Sequence, residues 1–129
     1  ISNWKSTVTP LPHLNDLVTI QCYKGPEWDL FEESSTTAWF NTIFTISQHA
    51  NRMGFQLEGA QLHKREKKEM ISTAVTKGIV QVTNQGTPIV LMADAQTIGG
   101  YPRIGRILND DIDLLAQCRP GTKLQFKSI

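Results

Sequence analysis

At 129 residues, with 40% hydrophobic and 19% charged side chains, the chain is long enough for one domain with a real core and too short for two independent ones. A formal net charge of only +1 removes the global electrostatic bias of a nucleic-acid or anionic-membrane binder, so specificity has to reside in a local site. No apolar run approaches the roughly 20 residues that span a bilayer, and the opening ISNWKSTVTPLPHLND lacks the basic-then-apolar layout of a secretory signal. The missing initiator Met reads as a domain cut from a longer polypeptide, and the cytoplasm is the expected compartment.

Residues 1–16, with Pro10 and Pro12 and no apolar period, read as an extended arm or linker, leaving 17–129 as the single domain. In LVTIQCY, Val18, Ile20 and Cys22 alternate with Thr19 and Gln21, the pattern of a half-buried strand. KGPEWDLF turns the chain, with Trp28, Leu30 and Phe31 as a short helical or irregular apolar plug. Ile43, Phe44 and Ile46 make a strand, and Phe55 and Leu57 alternate on a returning one. KREKKEM, between His63 and Ile71, mixes acids with its bases and reads as a solvated loop. GIVQVT, the turn NQGTP and IVLMA form the clearest hairpin, with Gln85 and Gly86 at the turn and Pro88 capping entry to the second strand. RIGRIL is a short strand. NDDIDLLAQ predicts a helix with Asn109 or Asp110 as N-cap and Ile112, Leu115 and Ala116 on one face. Pro120 and Gly121 then turn the chain into a last strand carrying Leu124 and Phe126. Many short strands with so little helix predict a mostly β fold, closed or nearly closed into a barrel. Cys22 and Cys118, far apart in a domain that needs no staple, are expected to be free buried thiols.

His13, His49 and His63 show no ligand spacing, so no metal site is expected. Gly99 and Gly100 lack the context of a dinucleotide fingerprint or P-loop, and no serine elbow or Cys–His dyad stands out. Two polar clusters remain, SQHANRMGFQLEG and MADAQTIGGYPRIG. In the first, Arg52 offers a planar fork suited to a carboxylate or carbamoyl oxygen, Asn51 donates and accepts, and Glu58 lies further along the strand. In the second, Asp94 ends a buried strand, where an acid is costly unless paired, and Arg52 is its natural partner. Two readings stand: turns braced by Asx residues and glycines, or a pocket in which Asp94, Gln96, Thr97 and Tyr101 surround a ligand brought close to backbone.

The motifs GPEWDLF, NRMGFQLEG, GIVQVTNQGTPIVLMADAQTIGGYPRIG and LLAQCRPG, in this order, resemble the family variously called the 5-oxoprolinase C-subunit, KipA or the second subunit of allophanate hydrolase, also found as the carboxyltransferase-type domain of urea carboxylase. The resemblance runs from about Val18 to Phe126 and corresponds to the carboxyl-terminal half of longer two-part chains, so it implies a missing amino-terminal half. It implies a cyclophilin-like β-barrel with one or two short helices. It also implies an ATP-dependent amidohydrolase complex converting 5-oxoproline to glutamate, or acting on a related small amide such as allophanate, with a KipI-like subunit and a lactam-utilisation protein as partners. ATP would be used by the complex, with no cofactor bound by this domain. Alternatives within the family are a KipA-like module antagonising a KipI-like inhibitor of a sensor histidine kinase, and a carboxyltransferase domain of a biotin-dependent urea carboxylase. Carried over position by position, Arg52 and Asp94 are the catalytic candidates, and Asn51, Glu58, Gln81, Gln96, Thr97, Gly99 and Tyr101 the substrate-binding ones. The chain departs from the family pattern at Thr83, Ala95 and Ile98, where proline, a basic residue and a second threonine are common.

Overall fold

The computed structural model describes residues 17–49, 54–66, 76–92 and 101–129. Its strands are β1 (Leu17–Lys24), β2 (Phe44–Ile46), β3 (Gly54–Glu58), β4 (Ile79–Val82), β5 (Pro88–Leu91), β6 (Arg103–Ile107) and β7 (Lys123–Ser128). They close into a barrel in the order β1, β6, β4, β5, β3, β2, β7, as the reading of short alternating strands anticipated. All neighbours are antiparallel except β7 and β1, whose parallel pairing from Leu17 with Lys123 to Cys22 with Ser128 shuts the barrel. Closure removes the free strand edges that an open sheet would expose. The proposed arm, residues 1–16, lies outside the described residues.

Alternation does the sorting. Val18, Ile20 and Cys22 of β1 point into the core while Leu17, Thr19 and Gln21 face out. Phe55, Leu57, Val80, Val82, Val90, Leu124 and Phe126 fill the interior from the other strands. Cys22 and Cys118 are both buried and free, as expected. The β4–β5 hairpin is present, and its turn closes through Thr83, whose N–H donates to the Thr87 carbonyl at 3.0 Å. Thr83 Oγ1 also accepts the Thr87 N–H at 3.2 Å. A proline at 83 would lack that first donor. Gly86, at φ +88°, supplies the left-handed residue the turn needs.

Helix α1 (Glu33–Asn41) is absent from the sequence reading, because ESSTTAWFN has no apolar stripe and no side-chain N-cap bond. Packing decides here, not propensity. Trp39 is fully buried, stacked on Phe126 at 4.1 Å between ring centroids and tilted against Phe44 at 5.2 Å. Buried Ser35 accepts the His63 N–H at 2.8 Å, and the Glu32 N–H donates to the His63 carbonyl at 2.9 Å. Because Thr42 already caps α1, Ile43 falls in the link rather than on β2 and is 49% exposed, which corrects its placement on the strand.

Helix α2 (Asn109–Ala116) lies where expected, but its N-cap is Leu108, with Asn109 and Asp110 already helical. Asp111 instead reaches back to accept the Gln21 N–H of β1 at 2.7 Å, tying the helix to the barrel. Ile112 and Leu115 are buried, whereas Ala116 is exposed and off the packed face. Of KREKKEM, Lys64, Arg65 and Glu66 are described; Arg65 and Glu66 are exposed, as a solvated loop requires, yet Arg65 is anchored. The Arg65 N–H and Nε donate to the carbonyls of Leu30 and Phe31, both at 2.9 Å, pinning that residue to the short 3-10 turn Trp28–Leu30.

Candidate functional site

Of the nine candidate site residues, Asn51, Arg52, Asp94, Gln96, Thr97 and Gly99 lie outside the described residues, as do Ala95 and Ile98. The expected Arg52 to Asp94 pairing lies there too. The described candidates are Glu58 on β3, Gln81 on β4 and Tyr101 just ahead of β6.

Gln81 is 1% exposed. Its strand neighbours Val80 and Val82 belong to the core cluster, so alternation turns Gln81 to the barrel's outer face together with Ile79, which is buried without joining that cluster. Cross-strand register then defines a row on this face. Gln56 pairs with Ile89, Ile89 with Gln81, and Gln81 with Arg103. Tyr101, half-buried, precedes Arg103 by two residues, and the Val82 N–H donates to the Pro102 carbonyl at 3.0 Å, holding that entry segment against the end of β4. Gln81, buried on the outward side of the sheet, and half-buried Tyr101 therefore share one corner of the barrel.

Glu58 belongs to a different part of the same surface. It is exposed at the end of β3, paired across β2 with Thr45. One strand, β5, separates β3 from β4, a lateral offset of about 10 Å. Glu58 lines a cleft of about 290 Å³ together with Ser47, His49, Gln56, Gln61 and Thr87. The cleft's wall is fixed by backbone: the Ser47 N–H donates to the Gln56 carbonyl at 2.9 Å, and Ser47 Oγ accepts the His49 N–H at 3.0 Å. Its carboxamides and hydroxyls both donate and accept, the His49 ring adds two nitrogens, and Glu58 is the one carboxylate among these lining residues. Such a lining offers donors and acceptors to both edges of a small planar polar group. Gln56 links the two regions, since it lines the cleft and begins the row that ends at Arg103.

Sequence reasoning missed the cleft residues His49, Gln56, Gln61 and Thr87, and it missed an ion pair that frames the corner. Arg103 donates from Nε and from its second terminal nitrogen to the two oxygens of Glu27, at 2.7 and 2.8 Å. Both side chains are mostly buried, at 19% and 12% exposure for Arg103 and Glu27. Burial alone raises the Glu27 pKa, but hydrogen bonds from the Arg103 side chain and main chain outweigh it and hold the carboxyl below its ordinary range. The bond from Glu27 in turn makes Arg103 harder to deprotonate, against a smaller cost of burial. The available signal was that Glu27 and Arg103 each sit inside a matched motif, GPEWDLF and GGYPRIG. Neither motif alone says that the two segments touch.

Cys22 is not part of this face. Its pKa is pushed up to about 11 by burial, against smaller opposing effects of the Trp39 indole and the Arg106 main chain. That is an inert core thiol rather than a nucleophile. Among the described residues, no group of three His, Cys, Asp or Glu side chains gathers to hold a metal ion, and no helix is long and apolar enough to cross a membrane.

This frame has relatives among known proteins. The chain is 37% identical over 122 residues to the 5-oxoprolinase C-subunit of Haemophilus influenzae, covering 95% of this chain and 38% of that one. It is 41% identical over 107 residues to the 5-oxoprolinase C-subunit of Escherichia coli, covering 83% of this chain and 34% of that one. The chain thus spans little more than a third of the length of these curated relatives. The fold superposes on the crystal structure of the Kluyveromyces lactis urea carboxylase with a TM-score of 0.88 at 21% identity, over 97% of this chain and 12% of that one. Since the family described as "Carboxyltransferase domain, subdomain A and B" matches residues 2–128, nearly the whole sequence, this chain belongs to that family.

Proposed function

We propose that this chain is part of a subunit of an ATP-dependent amidohydrolase complex that opens 5-oxoproline to glutamate or cleaves a related small amide such as allophanate. The observation that carries this reading is the 37% and 41% identity to two proteins named as the C-subunit of 5-oxoprolinase. The barrel's outer face supports it chemically. Gln56, Glu58 and Gln61 around the cleft supply paired donors and acceptors for a planar amide, with half-buried Tyr101 and buried Gln81 at the neighbouring corner. On this reading Arg52 and Asp94 act on the reacting amide, with Asn51, Gln96, Thr97 and Gly99 completing the pocket. A KipI-like subunit and a lactam-utilisation protein are the partners in the cytoplasm.

The test is release of glutamate from 5-oxoproline by the full-length protein with its partner subunits and ATP, with Arg52→Ala and Asp94→Ala as variants. The reading expects turnover in the parent complex and its loss in both variants with the fold intact. Unchanged turnover in both removes the site assignment, and no turnover in the parent removes the substrate. The carboxyltransferase description of the family favours one second reading, carboxyl transfer from biotin to an amide. Transfer of carboxyl from a carboxylated biotin carrier to urea, without glutamate release from 5-oxoproline, would establish that instead.

A further inference from the structure

The Glu27–Arg103 contact does more than pair charges, because it sits on an irregularity of the sheet. Between β4 and β6 the register shifts: Val80 pairs with Gly105, but Gln81 pairs with Arg103, leaving Ile104 as an extra residue on β6. Ile104 is fully buried in the core. A bulge of this kind leaves main-chain groups without ladder partners and re-aims the side chains beside it. Here Glu27, on the β1 side of β6, bonds both main-chain groups of Arg103. Its carboxylate accepts the Arg103 main-chain N–H at 2.9 Å, and its own N–H donates to the Arg103 carbonyl at 3.2 Å. Upstream, the Gly25 N–H donates to the Ile104 carbonyl at 2.9 Å, continuing β1 alongside β6 past the end of the regular ladder. A one-residue slip at this point would turn the Gln81 and Arg103 pair to the opposite face.

We propose that Glu27 is a positioning residue, whose carboxylate pins the β6 bulge and so fixes how Gln81 and Tyr101 present themselves to the amide site. This rests on the function proposed above for that face. Glu27 touches no substrate on this account. It acts through Arg103, the residue that is both in register with Gln81 and two positions after Tyr101.

The experiment compares Glu27→Ala, Glu27→Gln and Arg103→Lys in the full-length protein assembled with its partners. Each is assayed for kcat and KM with 5-oxoproline at a temperature where it is folded. A glutamine keeps an oxygen for the Arg103 N–H while losing the charged fork, and Arg103→Lys loses the fork while keeping the main-chain bond. The expected pattern is a fall of about 100-fold in kcat/KM for Glu27→Ala, the scale of loss when a site is misplaced by about 1 Å. Glu27→Gln and Arg103→Lys should retain most of the rate even though all three lose stability. Full activity in Glu27→Ala, or equal loss in all three, overturns the proposal, since a merely structural ion pair would move them together. If Glu27→Ala does not accumulate as folded protein, a hundredfold loss in Arg103→Lys is the overturning result. If the parent complex does not turn over 5-oxoproline, the proposed function fails, and hydrogen exchange at the position-103 amide judges the pin. Protection kept in Glu27→Gln but lost in Glu27→Ala supports the pin, and protection kept in both overturns it.

Discussion

Replacing Trp39 with alanine removes the side chain on which helix α1 depends. The ring is fully buried, stacked on Phe126 at 4.1 Å and 16°, and tilted against Phe44 at 5.2 Å. Truncating a buried Trp costs about 3–5 kcal/mol, and each lost aromatic pair adds about 0.5–1.5 kcal/mol beyond area. One effect works the other way. Among the described residues, buried Trp39 Nε1 finds no acceptor better than the weak one offered by the Cys22 sulfur, and removing such a donor returns about 1–3 kcal/mol. The balance is a loss of about 4 kcal/mol for Trp39→Ala. Trp39→Phe keeps a ring against Phe126 and also removes the stranded N–H, so its loss should be near 1 kcal/mol, roughly a quarter as large. Urea denaturation followed by far-ultraviolet circular dichroism reads both midpoints, and Trp39→Ala should also lose helical signal from residues 33–41. A Trp39→Ala loss below about 1 kcal/mol, or equal losses in the two variants, would refute the view that one aromatic anchor holds α1.

Gly25→Ala would place a methyl against the Arg103 carbonyl and 2.7 Å from the Gly105 nitrogen, both backbone, so a loss of about 1–3 kcal/mol is expected, and an unchanged urea midpoint would contradict it. Cys22 should resist thiol reagents at pH 8 in the folded protein. Because its folded pKa is about 11 against an ordinary 9.0, the stability it contributes is complete below pH 9 and is lost as pH rises toward 11, by about 2–3 kcal/mol. Cys22→Ala should flatten that alkaline decline relative to the parent. Glu27 has the opposite sign: its depressed carboxyl stabilises the fold above the ordinary carboxylate range, and that contribution disappears as pH falls through the lowered value. Glu27→Gln should therefore show a shallower loss of stability on acidification than the parent, and parallel acid limbs would count against the clamp.

What the sequence reveals depends on how far apart the cooperating residues lie. Alternation in LVTIQCY, the hairpin around Gly86 and the turn at Gly121 are local, and each element was legible because period and turn chemistry are written within a few residues. Helix α1 was not, because Trp39 packs against Phe126, which is distant in sequence, while its own segment is Ser/Thr-rich. The N-cap of α2 was misplaced because Leu108 caps the helix without a side-chain bond and Asn109 and Asp110 are already helical. The first-turn acid Asp111 accepts the Gln21 N–H of β1, a contact 90 residues distant in sequence. At the site, residue chemistry pointed to Glu58 and Tyr101 and the family resemblance to Gln81, but only the strand order shows that Gln81 and Tyr101 share a corner and that Glu58 stands two strands away.

The same contrast bears on why position 27 holds a glutamate. Glu27 and Arg103 are 76 residues apart and come from separate matched motifs, so barrel closure must bring β1 beside β6 before the pair can form. One carboxylate then meets three demands: the Arg103 main-chain N–H and Nε on one oxygen, and the terminal guanidinium nitrogen on the other. An aspartate carries the same charge but is shorter by one carbon–carbon bond, about 1.5 Å. With its own main chain already bonded to the Arg103 carbonyl, it would have to give up either the fork or the bulge amide. Glutamine reaches but cannot pair with the charge. Charge, reach and main-chain registration are thus met together by glutamate. A sheet irregularity that would otherwise leave an amide unpaired becomes a fixed point for the face carrying Gln81 and Tyr101.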